Sequence, residues 1–348
     1  MAKEYKTIIL RNGDSIQVPE NEVHLYDRMK VLVTGLTGQD SSYMCELLLE
    51  KGYEVHGTMR RSSTPNTANV NKIISSINTH LMDLTDATSV NNVISKVKPD
   101  IVFCLAAQSD VRASYDIPLY TEDATGLGFG RILEACRMHC PEAKIYQAGS
   151  SEMFGKVEAI PQNETTPFHP RSPYGCAKVM AFSLGRAYRE GYGMKVYNGI
   201  LFNHESPRRG HLFVTRKIVK GAVAIKNGKQ AKLKLGNLQA KRDWGSSKNY
   251  MEIIYKMVTE QEPQDFVVAT GETHTIEEFV KEVFEYIGLG DWKQYVEFDA
   301  NMLRPAEVDL LIGDMSKVTK LFGYDPITVK FKDLVKWMVD EENEITSI

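Results

Sequence analysis

The sequence predicts a doubly wound α/β fold with a parallel sheet, a Rossmann-type domain carrying a smaller substrate-binding part. Two observations carry that expectation. The stretch from Lys30 to Arg61 reads strand, glycine turn, helix, strand. Apolar runs that suit buried parallel strands then alternate with helical stretches over the following residues.

Val31 to Thr34 are apolar and end in Thr-Gly, as a buried strand would. Gly35 and Gly38 allow a tight turn and a close approach to a phosphate, and Tyr43 to Glu50 supply the helix. That helix can point its free N–H groups at a pyrophosphate. Gly52 ends it, and Tyr53 to Thr58 start the second strand. Further strands are expected at Thr79 to Leu84, Ile101 onward, Lys144 to Ala148, Lys195 to Phe202 and Phe266 to Ala269. Helices are expected at Ala87 to Lys96, within 117 to 140, at Ser172 to Arg189, Ile276 to Ile287 and Val329 to Met338. Before the nucleotide unit, Thr7 to Leu10 and Ser15 to Val18 flank Asn12-Gly13, a hairpin signal. The division expected is an extension over 1–29, a mainly cofactor-binding part over 30–203 and a mainly substrate-binding part over 204–348.

With 348 residues, 43% hydrophobic and 25% charged, the chain can bury a large core. A formal net charge of -3 gives no global field for nucleic acid or membrane. Five cysteines without CxxC spacing fit reduced thiols in a cytoplasmic protein. No stretch reads as a membrane helix, and the N-terminus lacks a signal-like apolar run. The histidines show no metal constellation.

The cofactor turn comprises Gly35, Thr37, Gly38, Gln39 and Asp40. Asp83 and Leu84 leave the third strand near the adenine, and Ala106 permits close passage of the cofactor. The ribose-binding acid usual at the end of the second strand is replaced by Arg60 and Arg61. Two guanidiniums suit a 2′-phosphate, so NADP is the expected cofactor. Tyr174 and Lys178 lie four residues apart, on one helix face. An ammonium near a phenol lowers the phenol's pKa, so Tyr174 can exchange a proton with a sugar hydroxyl. Ser150 and Ser151 lie at the end of a strand, where one of them can hydrogen-bond the same substrate oxygen. Glu152 can remove a proton alpha to a new ketone, or it is simply a helix-start carboxylate; the residues alone leave both open. Asn203 and Glu205, just past a strand, can hydrogen-bond substrate. Arg208, Arg209, Lys217, Lys241, Arg242 and Arg304 can wall a diphosphate or lie on an ordinary surface.

Longer runs are more specific. VTGLTGQD, HGTMRRSS, AAQSDV, ETTPFHPRSPYGCAK, NGILFNHESPRRG, FVTRKI, GNLQAKRDWG, ATGETHTIEEF and RPAEVDLLIGD span the chain from about residue 29 almost to its end. Together they resemble the GDP-mannose 4,6-dehydratase family of extended short-chain dehydrogenase/reductases. The resemblance implies Ser150, Glu152, Tyr174 and Lys178 as the active set. Tyr174 would take the C4 hydroxyl proton, and Glu152 would take the C5 proton and help expel the C6 hydroxyl. It also implies cofactor contacts from Tyr174, Lys178 and Arg209. Contacts to a GDP-linked sugar would come from Ser109, Asn203, Lys217, Arg242, Arg304 and Glu307. A homodimer or homotetramer is implied by the loop after Arg61. The chain departs from the family pattern at Ser41, Asp110, Ser150, His211 and Ser246 to Tyr250. A related epimerase or reductase would keep the Ser-Tyr-Lys set without needing Glu152. A catalytically silent nucleotide-binding protein would not need the set at all.

Overall fold

A computed structural model of the chain describes residues 4–64, 66–303, 305–306, 308 and 310–347. Its centre is a parallel sheet of seven strands: β1 Lys30–Val33, β2 Glu54–Met59, β3 Asn78–Leu81, β4 Ile101–Cys104, β5 Lys144–Ala148, β6 Lys195–Leu201 and β7 Asp265–Val268. They lie in the order β7-β6-β5-β4-β1-β2-β3, so the strand order reverses between β1 and β4. A crevice opens at such a reversal, beyond the carboxyl ends of the strands.

The two-residue period of a strand explains the layers on either side. Val31 and Val33 point to one face, where they join Met44 and Leu48 of α1 (Gln39–Glu50). Ile254 and Met257 of α6 (Ser247–Glu260) pack into the same cluster. Leu32 points to the other face, with Val90 and Ile94 of α2 (Ala87–Val97) and Ile132 and Leu133 of α3 (Gly128–His139). A separate apolar cluster holds the smaller part together. It is built by α5 (Val214–Lys226), α7 (Ile276–Ile287) and α8 (Phe331–Ser347).

The structure differs from the sequence reading in three places. The stretch expected as one helix over 117 to 140 contains a π-helical segment at Glu122–Leu127. There the backbone runs close to α4 (Pro173–Tyr192), and a Cβ on Gly126 would lie 2.8 Å from Met180 Sδ. Helices α5 and α6 were not foreseen, although Ile218, Val219 and Ala222 in α5 and Tyr250, Ile253, Ile254 and Met257 in α6 recur at helical spacing and form their buried faces. Finally, α8 runs on to Ser347 through an acidic stretch that reads as a tail.

The N-terminal hairpin pairs Tyr5–Ile9 with Ser15–Pro19 in antiparallel register. It packs on the turn between α1 and β2, with Ile8 and Val18 buried. Gly52 sits at φ +90°, and a Cβ there would stand 2.1 Å from the Thr7 carbonyl oxygen. Gly52→Ala should therefore destabilise the chain by about 1–3 kcal/mol, because it adds a left-handed penalty to a clash with the hairpin. Urea unfolding measures this; an unchanged midpoint would contradict the docking.

Candidate active site

A cavity of about 960 Å³ opens at the carboxyl ends of the strands. Gly35, Thr37, Gly38, Gln39 and Asp40 form its floor. Gly38 caps α1 in extended backbone, without a side-chain hydrogen bond on the first turn. Gly35 is at φ +73°, and a Cβ on it would stand 3.0 Å from the Ala106 Cα. The backbone thus leaves an uncapped helix N-terminus over a shallow floor, which fits a dinucleotide pyrophosphate. Ser41 stands where the family has a third glycine. It is accommodated because its buried hydroxyl donates to the Thr34 carbonyl at 3.0 Å. Asp110, another departure, caps the short helix Val111–Asp116 by accepting from the Ala113 N–H. Asp83, Leu84 and Ala106 line the same cavity. The Asp83 carboxylate accepts from both the N–H and the hydroxyl of Thr85.

The candidate chemical groups come from β5 and α4. Ser150 ends the β5 turn, and its hydroxyl accepts from the Glu152 N–H at 3.2 Å. Tyr174 lies in the first turn of α4, which Ser172 caps by accepting from the Gly175 N–H. Lys178 follows one turn later and donates to the Ala148 carbonyl at 2.6 Å. Ser109, Ser150, Glu152, Tyr174, Lys178, Asn203 and Arg209 all face the cavity.

The electrostatics differ from the simple expectation for a Tyr-Lys pair. Burial pushes the Tyr174 phenol up to about 12, with the hydrogen bond to Ser150 opposing and the Glu152 carboxylate adding to the rise. The Lys178 ammonium stands 5.7 Å from the ring centroid. Burial lowers the lysine itself to about 8, against the nearby Asp40 carboxylate. Within the protein alone, the phenol therefore keeps its proton at neutral pH.

Other expected contacts lie elsewhere. Glu205 is buried, accepting from Thr215 Oγ1 at 2.5 Å and facing Arg209 Nε at 3.2 Å. It positions a wall residue instead of forming the wall. Lys217 reaches Met302 Sδ at 3.0 Å, and Arg242 is buried with Nη1 on the Val308 carbonyl at 2.7 Å. Neither Lys217 nor Arg242 lines this cavity. Arg304 and Glu307 lie outside the described residues. Sequence reasoning passed over His204 because it lacked a metal-ligand partner. Its Nε2 stands 2.9 Å from Asp40 Oδ2 and its Nδ1 2.7 Å from the Phe202 carbonyl. Both neighbours are acceptors, so both nitrogens donate and the ring is an imidazolium. Burial opposes that charge, and the Asp40 carboxylate more than offsets it, so the histidine pKa is raised. Lys72, Arg216 and Lys220 also line the cavity, joined by Glu341 and Ile345 of α8. Of these, Arg216 lies within the run FVTRKI, and the others fall outside the quoted runs.

Among the described residues no group of His, Cys, Asp and Glu could hold a metal ion. No helix of the described residues is long and apolar enough to cross a membrane.

An uncapped helix at the sheet's switch point, with Ser150, Tyr174 and Lys178 beside it, defines an extended short-chain dehydrogenase/reductase. Residues 32–338 match the family model described as GDP-mannose 4,6 dehydratase. GDP-mannose 4,6 dehydratase 2 of Arabidopsis thaliana is 51% identical, covering 96% of this chain and 92% of that protein. GDP-mannose 4,6 dehydratase of Homo sapiens is 45% identical over 91% of this chain and 92% of that protein. Among solved structures, Thermus thermophilus UDP-glucose 4-epimerase in complex with NAD superposes with TM-score 0.79 at 26% identity. That match covers 90% of this chain and 99% of the other. The chain belongs to the GDP-mannose 4,6-dehydratase family.

The expectation of NADP is corrected. The solved epimerase, at 26% identity, holds NAD. The structure supplies a physical reason. Arg60 donates to the Tyr120 hydroxyl, and Arg61 does not line the cavity, so the end of β2 does not present two guanidiniums to one phosphate.

The lowered Lys178 pKa sets a limit on pH. The ammonium is present below about 8 and is lost as pH rises through that value. The kcat/KM profile, which reports the free enzyme, should fall above about 8. Lys178→Arg should lose that limb, since guanidinium stays charged. A limb retained near the same pH in the variant would assign it to another group.

Proposed function

We infer that the chain is a GDP-mannose 4,6-dehydratase, converting GDP-mannose to GDP-4-keto-6-deoxy-mannose. The observation that carries this is Glu152 placed with Ser150, Tyr174 and Lys178 at one cavity wall, in a chain of that family. The cofactor read into the α1 cradle is NAD, which when bound accepts hydride from the sugar C4 and returns it at C6.

The residues supply the proton work. Ser150 and Tyr174 bind the C4 oxygen, and the Tyr174 Oη takes the C4 hydroxyl proton. With the phenol at about 12 in the protein alone, this transfer needs positive charge close by. Arg209 already lowers the phenol within that value, so the further positive charge would come from the oxidised nicotinamide ring of the bound cofactor. Glu152 then removes the proton at C5, acidic beside the C4 ketone, and passes it to the departing C6 hydroxyl, so that water leaves; a proton returned to C5 as the hydride reaches C6 completes the product. A carboxylate that takes one proton and gives one suits elimination of water. Simple hydride transfer would not require it, which favours the dehydratase over an epimerase or reductase with the same triad.

Oligomerisation to a dimer or tetramer is part of the same reading. It is supported by the exposure of Ile117, Leu119 and Leu127. Among the other expected substrate contacts, Ser109 and Asn203 face the cavity and suit hydrogen bonds to the sugar nucleotide.

Glu152→Gln should retain NAD binding and lower the rate of water loss from GDP-mannose by about 100-fold or more, the usual worth of a general acid-base. Mass spectrometry of the sugar nucleotide reads this directly. Dehydration at the wild-type rate in that variant would remove Glu152 from the mechanism.

A further inference from the structure

The segment His204–Arg208 follows β6, beside the wall residues Asn203 and Arg209. Its alternate residues all turn to α1. The Gln39 amide donates to the His204 carbonyl at 3.1 Å, and the His204 ring donates to Asp40 at 2.9 Å. The Ser206 hydroxyl donates to Gln39 Oε1 at 2.7 Å. Arg208 donates to Ser42 Oγ at 3.0 Å and to Glu46 Oε1 at 2.6 Å, and its guanidinium stacks 4.1 Å from the Tyr43 ring centroid. His204 belongs to the short strand Asn203–Glu205, and Arg208 to the turn that follows, which the Arg209 N–H closes on the Ser206 carbonyl. Five residues of α1 are thus gripped by three residues of one segment. Ser247 completes the junction from α6, donating to Asp40 Oδ1 at 2.7 Å.

We propose that His204, Ser206 and Arg208 are positioning residues, a latch that registers the sugar-nucleotide wall at Asn203 and Arg209 against the cofactor cradle on α1. This rests on the reading of the cavity as shared by NAD and a GDP-linked sugar. The consequence is thermodynamic. A ligand that fixes the first turn of α1 also fixes the opposite wall, so each ligand raises the affinity for the other by the same factor.

Ser206 and Ser42 are fully buried and do not line the cavity, so they change ligand affinity through the junction and, for Ser42, through its hydrogen bond to the Gln39 carbonyl. NAD is titrated into the full chain by calorimetry, with and without saturating GDP, which cannot react. In the wild type, GDP should tighten NAD about tenfold, within the usual range of coupling between sites. Ser206→Ala and Ser42→Ala should bring that ratio towards one, and Ser206→Thr, which keeps the hydroxyl, should restore it. A wild-type ratio of one would overturn the latch. So would alanine variants that melt at lower temperature yet keep the wild-type ratio, since a merely structural role behaves that way. A chain with the expected ratios that leaves GDP-mannose unchanged would overturn the functional reading and leave the latch standing.

Discussion

The N-terminus of α1 can receive an anion because nothing of the protein's own occupies it. Gly38 caps that turn without a side chain, and Gly35 lets β1 pass Ala106 at the distance of touching backbones. Amide dipoles left open in this way favour a phosphate and cost little to maintain while water can reach them. The strand order places this turn at the switch point between β1 and β4, so the same crevice collects the ends of β5 and β6. The glycine turn fixes where a cofactor lies, and the sheet fixes which side chains meet it.

A carboxylate in that first turn would work against an anion. Asp40 is there, and the structure cancels its charge with the His204 imidazolium and the Ser247 hydroxyl. The carboxylate is held well below its ordinary range despite burial, which opposes the charge. Burial also acts on the Tyr174–Lys178 pair, raising the phenol and lowering the ammonium. Both shifts suppress charge. The base role proposed for Tyr174 therefore requires positive charge beyond what its protein neighbours supply.

Much of the fold was legible in the residues, for a physical reason. Buried parallel strands such as Ile101–Cys104 are continuous apolar runs, and α7 carries a full capping box at Thr275 and Glu278. The π segment at Glu122–Leu127 was not legible, because it answers to the approach of α4 and not to local propensity. In the site, the phosphate turn and the Ser-Tyr-Lys set are local motifs and could be found. Arg60 misled because two adjacent arginines look alike in sequence, whereas one is engaged by Tyr120, sixty positions away. Glu205 and His204 sit side by side. Which of them reaches the cavity depends on partners at Thr215, Arg209 and Asp40 that no spacing rule supplies.

Removal of hydrogen from one carbon and its return to another, with water lost between, is the central claim. GDP-mannose carrying deuterium at C4, incubated with the chain and NAD and followed by mass spectrometry with fragmentation, tests it most directly. The expected product is one water lighter, with the deuterium at C6 and no net change in the cofactor. Deuterium accumulating in reduced cofactor, or a sugar that keeps its water, would contradict it.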